Sequence, residues 1–215
     1  MCMFSKPVKE VSGTQIYGRA LPDGRQALAY SMKVGLLEPT AMVLPLPVPP
    51  SPGEDALEFV DLQRYRNFFD YLDATLPLRK GMRFARAESR TRRLKVQRVG
   101  DFDASFVPTL SDFERLDPRF RISDDVWSKL PLYADWGFAV FKLREKRTFF
   151  RRRLTSQKVQ PMAFLFPSRE RGAVFFPTMH VHDGRLPEKA KYDHDLYAQV
   201  DELTMRAAEW EFAAK

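Results

Sequence analysis

Residues 14–34 constrain the fold more tightly than any other stretch. Thr14–Leu21 alternates in polarity, Pro22-Asp23-Gly24 interrupts it, and Gln26, Leu28, Tyr30, Met32 and Val34 then recur at every second position. An extended chain points successive side chains to opposite faces, so this period of two puts all five on one face of a strand. Asp-Gly between two alternating runs is the turn signal of a β-hairpin. Further strands are expected at Ala41–Leu46, Leu94–Val99, Phe102–Val107, Trp136–Leu143, Met162–Phe166 and Ala173–His182. The prolines after Leu46 mark an edge or an exit. Trp136–Leu143, strongly apolar, is the expected central strand, and Arg169-Glu170-Arg171-Gly172 is the expected turn between the last two.

Helical periodicity is confined to short pieces. Leu62–Leu76 predicts a helix with Phe68, Phe69 and Leu72 buried and Tyr65 and Leu76 extending the stripe. Ser111 and Ser123 are expected N-caps of two short helices. From about Asp201 the spacing of Leu203, Ala207 and Trp210 predicts a C-terminal helix. The expected class is α+β: largely antiparallel sheet, a few short helices and the C-terminal helix, with residues 1–215 as a single domain.

With 44% hydrophobic and 13% aromatic residues among 215, the chain buries a proper core, and disorder is excluded. Its one cysteine, Cys2, precludes an intramolecular disulfide and points to a reducing, cytoplasmic compartment. No basic region followed by an apolar stretch opens the chain, so no secretory signal is expected. The most apolar run, 41–50, is broken by Pro45, Pro47, Pro49 and Pro50, and no membrane association is expected.

All three histidines, His180, His182 and His194, fall within fifteen residues, together with Asp183, Asp193 and Asp195. No other stretch holds as many groups that ligate a metal or move a proton near neutral pH. In a strand, His180 and His182 leave the same face. If a hairpin pairs His182 opposite His194, all three share it and a tetrahedral zinc or other divalent transition-metal site keeps one open position; a slip of one residue turns His194 away. Structural histidines beside an Asp183-Gly184 turn are the other reading.

Cys2 directly follows Met1. Removal of that methionine would leave a thiol and a free α-amine of pKa near 8 on one residue, and such an amine serves as base for its own side chain. With Tyr17-Gly18-Arg19 on the next stretch, the opening resembles that of N-terminal-nucleophile hydrolases, bile-salt-hydrolase-like amidases and glutamine amidotransferases among them. The resemblance covers about the first twenty residues. It implies Cys2 as nucleophile and, from the amidases, Arg19 as its contact.

A broader resemblance rests on Lys6-Pro7-Val8 after Cys2, on the apolar run 41–49 ending in proline alternation, on Val99-Gly100-Asp101-Phe102-Asp103, and on 133–143 leading into Gln160-Pro161-Met162. In these the chain is similar to a family of uncharacterised bacterial proteins, a domain of unknown function. That family implies no activity, and its members carry more cysteines near the start.

Charge is uneven. The formal net charge is +7, with +8 in residues 79–98 and +7 in residues 142–158, so the remainder carries −8. Basic runs with Phe149 and Phe150 inside one of them suit an anionic partner, nucleic acid included, although no recognition module accompanies them. Pairing of the acidic remainder with a basic loop of another copy, a homo-oligomer, is equally open.

The reading that uses most of these features is a cofactor-free cysteine hydrolase of an amide or related bond, acting on a small molecule or peptide. Cys2 is its nucleophile, His182 its proton shuttle, Asp183 or Asp193 the orienter, with Arg19 and His194 completing the catalytic set. The alternatives are a metal-binding protein using His180, His182 and His194, or a non-catalytic module that binds an anionic partner through its basic loops.

Overall fold

A computed structural model of the chain describes residues 3–75, 97–99, 102–143, 157–170, 173–179, 181, 189–200 and 203–213; for 97–99, 157, 189–192, 200 and 203–213 it describes the backbone alone. The strands are β1 (Met3–Phe4), β2 (Val8–Ala20), β3 (Arg25–Leu36), β4 (Thr40–Leu46), β5 (Glu58–Val60), β6 (Gln97–Val99), β7 (Phe102–Val107), β8 (Gly137–Leu143), β9 (Gln157–Lys158), β10 (Met162–Pro167), β11 (Lys189–Val200) and β12 (Leu203–Ala213). Helix α1 spans Phe68–Thr75 and α2 spans Asp124–Trp127, with 3-10 turns at Gln63–Tyr65, Leu110–Arg115, Pro118–Phe120 and Pro131–Tyr133.

The expected hairpin forms as β2 and β3, Ala20 opposite Gln26. Gly24 adopts φ +82°, where a side chain is disfavoured, and its N–H donates to the Leu21 carbonyl. The Asp23 carboxylate accepts from the Arg25 amide, which holds its pKa below the usual value. This hairpin lies inside a seven-stranded sheet ordered β12-β11-β2-β3-β10-β5, with β9 also on β3. A five-stranded sheet, β1-β4-β8-β7-β6, packs on it with β8 at the centre, as its apolar sequence predicts. Pro45 is tolerated in β4 because Ala41, of the same parity, turns its N and O toward β1, and β1 reaches only Met42 and Val43. The absent N–H of Pro45 therefore faces an edge that no strand covers among the described residues.

The central core fills the space between the sheets. Leu28, Tyr30, Met32 and Val34 of the predicted face meet Met42, Leu44, Phe106 and Phe141 from the other sheet. Phe141 is fully buried and makes edge or tilted contacts with Phe59, Phe102 and Phe164. The outer face of the five-stranded sheet, bearing Met3, Ala41, Val43 and Val140, is covered by Phe113, Phe120, Ile122 and Val126 of the 110–127 segment. The outer face of the seven-stranded sheet, bearing Ala29, Ala163 and Tyr197, is covered by Phe69 and Leu72 of α1. The order of layers is therefore short helices, sheet, sheet, helix. The structure is α+β and mostly antiparallel, as expected, β11 on β2 being a parallel pair. Among the described residues no helix is long and apolar enough to cross a membrane.

Four expectations are corrected. The C-terminal helix is the strand β12, which forms a hairpin with β11 from Leu203 opposite Val200 to Ala213 opposite Lys189. The Ala-Ala-Glu-Trp-Glu run favours helix on its own. The open edge of β11 gives that backbone a ladder of hydrogen bonds, interrupted by one register shift between Tyr192 and Asp195, and tertiary context overrides propensity. Within 173–182, residues 173–179 have no regular structure. Phe175 and Phe176 both pack against the central core, which consecutive residues of a strand do not do, and Pro177 has no N–H to give a ladder. Helix α1 begins at Phe68, and Tyr65, 60% exposed, lies outside its buried stripe. Ser111 lies inside a 3-10 turn whose N-cap is Thr109. Ser123 is the N-cap of α2, as expected, without a side-chain capping bond. Residues 100–101 and 171–172, and most of both basic segments, lie outside the described residues.

Candidate functional site

The two-residue strand β1 is the centre of the site. Apolar Met3 and Phe4 point to opposite sides of the five-stranded sheet, Met3 into the helix-covered outer core and Phe4 into the central core. On one side β1 pairs with β4, Met3 opposite Val43. On the other it makes a parallel bridge to Val181, and the Phe4 N–H donates to the Val181 carbonyl at 3.0 Å. The first and last thirds of the chain thus meet here, with Met3 and Val181 both fully buried.

The chain leaving β1 is pinned by hydroxyls. Ser5 Oγ accepts from the Ala41 amide and shares a hydrogen bond with Thr40 Oγ1, which also accepts from the Lys6 amide. Beside this anchor lies a cleft of about 530 Å³, within the usual range for small-ligand sites. Its lining includes Ser5, Lys6 and Pro7 from the chain leaving β1, Leu110, Phe113, Ile122 and Trp127 from the 110–127 segment, and Val181. The 110–127 segment is shaped by local chemistry. Asp117 caps the 3-10 turn at Pro118 by accepting from the Arg119 amide. Arg119, with Lys142 nearby, holds the Asp117 carboxyl down at about 2. Arg121 turns back to donate to the Leu116 and Glu114 carbonyls, closing the preceding turn. Lys142 lies over the Phe120 ring at 4.4 Å.

The histidine-rich stretch is divided between the two sheets. Val181, between His180 and His182, bridges the five-stranded sheet, whereas His194 is in β11 of the seven-stranded one. His194 is 2% exposed and sits opposite Thr14, on the same face as Leu196 and hence toward the central core. The pairing of His194 with His182, one of the two registers left open by the sequence, is not adopted: β11 pairs with β2 on one side and β12 on the other. Asp193 is also structural, its carboxylate accepting from the Gly13 N–H at 2.6 Å, where Gly13 takes φ +55° in a bulge of β2. Arg19 does not approach β1. It lies with Tyr17 on the outer face of the seven-stranded sheet, beneath which Tyr17 contacts Phe68 of the α1 layer. Burial pushes the Tyr17 hydroxyl pKa up, and the neighbouring Arg19 charge opposes it. Two sheets separate Arg19 from the outer face that holds Met3, so its expected contact with the nucleophile is corrected.

Cys2, His180, His182 and Asp183 lie outside the described residues. Among the described residues no cluster of three or more His, Cys, Asp or Glu forms a metal cage. The cleft residues Lys6, Phe113 and Trp127 were not marked as a site by sequence. They are distant in the chain, and the only local signal is the short helix opened by Ser123, which brings Val126 and Trp127 to one surface.

No family model and no curated protein matches the chain in sequence. Among solved structures the chain is similar to the crystal structure of baculovirus P35, with 16% identity and a TM-score of 0.54 over 93% of this chain and 69% of that one. At this identity the likeness is one of fold.

Proposed function

We propose that the chain is a cysteine-dependent hydrolase of an amide or related bond, with Cys2 as nucleophile and His182 as proton shuttle. One observation carries the reading: Met3, the residue after Cys2, and Val181, the residue before His182, form a parallel bridge in which the Phe4 N–H donates to the Val181 carbonyl, and Val181 lines the cleft. Arg19 and His194 have no part in the proposal, and Asp183 remains its orienter. In the reaction the imidazole takes the thiol proton and the thiolate adds to the carbonyl carbon. The tetrahedral adduct collapses to a thioester as the imidazolium gives its proton to the departing amine. Water, deprotonated by the same imidazole, then releases the acid and restores the thiol.

The test combines intact mass, which reports whether Met1 is removed, with turnover of acyl-aminocoumarin amides and the pH profile of iodoacetamide alkylation. A thiol activated by an imidazole is alkylated with a midpoint below the free-cysteine value of about 8.5. Turnover should fall more than about a hundredfold in Cys2→Ser and in His182→Ala. Turnover that persists in Cys2→Ser, or an alkylation midpoint at the free-thiol value, would sink the proposal.

A further inference from the structure

The cleft beside β1 offers a pattern of walls that narrows what can occupy it. The Lys6 ammonium, on the lining, has neither ion pair nor side-chain hydrogen bond among the described residues. Phe113 and Trp127, also on the lining, meet at a tilt of 54° with ring centroids 5.2 Å apart. The Trp127 Nε1–H is buried without a partner among the described residues, and the indole is part-exposed. Glu114 and Asp124, both exposed, stand at the rim and likewise make no ion pair among the described residues. Arg121, also on the lining, donates from Nε and Nη2 to the carbonyls of Leu116 and Glu114.

With two carboxylates beside its two cations, the lining disfavours a polyanion. A phosphate chain following Lys6 would run onto two carboxylates, and like charges brought together at an interface are repelled. The lining favours a ligand with one anionic group beside one large apolar group, and a backbone that tolerates a mixed rim. We infer that the cleft binds a short peptide in which an acidic residue lies next to an aromatic one. The acidic side chain lies on Lys6 and the ring against Phe113 and Trp127. This names the substrate class of the hydrolase proposed above and rests on that reading for its role, though not for its binding.

The experiment separates the two. Acetyl-Asp-Phe-amide is titrated into full-length Cys2→Ser protein, which cannot form a thioester, with amide NMR shifts and tryptophan fluorescence as readouts. The expected result is saturable binding that Lys6→Gln weakens roughly two- to fivefold at low salt, the size of an exposed ion pair. Acetyl-Asn-Phe-amide should bind wild type and Lys6→Gln alike. Ser123→Trp, which fills the mouth of the cleft without removing a capping bond, should abolish binding. No saturation up to roughly 10 mM, equal affinity of the Asp peptide for Lys6→Gln, or a heparin oligosaccharide that displaces the peptide would overturn the inference. Peptide binding by Cys2→Ser with no turnover by wild type upholds the cleft and removes the hydrolase.

Discussion

Gln26 joins the hairpin to the segment that delivers Val181 to β1, and replacing it tests how that delivery works. Its side chain is 1% exposed at the last hairpin pair. The amide nitrogen donates to the Phe175 carbonyl at 2.7 Å, and its oxygen accepts the Phe175 N–H at 2.8 Å. One side chain thus supplies both bonds that a neighbouring strand would have supplied to the irregular 173–179 segment. Gln26→Leu keeps most of the volume and removes both. Each such bond contributes about 1 kcal/mol net, and a buried group left unmet costs about 1–3 kcal/mol. Phe175 is only half-buried, so water reaches part of what is exposed, and a total near 2 kcal/mol is expected. Urea unfolding measures that total. Hydrogen exchange locates it: the Phe175 and Val181 amides should lose protection while those of β8 keep theirs. A loss below about 0.5 kcal/mol with Phe175 protection unchanged would refute the account, because a pair of buried bonds cannot be removed that cheaply.

Two further predictions concern sites of different physics. A Cβ on Gly18 would lie 2.5 Å from Val174 Cγ1 and 3.2 Å from the Phe176 ring, so Gly18→Ala should cost about 1–3 kcal/mol by overpacking. Val174→Ala should recover much of that loss in thermal unfolding, and additive losses would show that the clash is not the cause. The Asp117 carboxyl should titrate near 2 by NMR, and should rise in Arg119→Ala while staying below the ordinary aspartate value, because the residue 119 N–H and Lys142 still favour the carboxylate. Its pKa is depressed on folding, so its stabilising contribution is present above about 4 and is lost as pH falls toward 2.

Much of the fold was legible because alternation is a local signal. The hairpin of β2 and β3, the apolar strands β4, β8 and β10, and β7 after its turn each declare themselves by which side chains share a face. Two strands misread show the limit. β11 carries Lys, Asp and His in a row and pairs in parallel with β2, so its charges suggested a site where a ladder runs. β12 carries a helix-favouring run and becomes a strand only because β11 presents an open edge. The candidate site divides in the same way. The chemistry of Cys2 and the histidines was readable as residue type, whereas the partition of His194 from Val181 depends on sheet order.

The amino-acid order alone determined the β-rich class, the single thiol, the crowded imidazoles and the face that Leu28, Tyr30, Met32 and Val34 bury, because each follows from residue type or from a period of two. Only tertiary structure decided that Met3 meets Val181, that Arg19 and His194 lie in other layers, and that Lys6, Phe113 and Trp127 line one cleft. Those are matters of which strand edge pairs with which, and edges are chosen by hydrogen bonds between segments far apart in the chain.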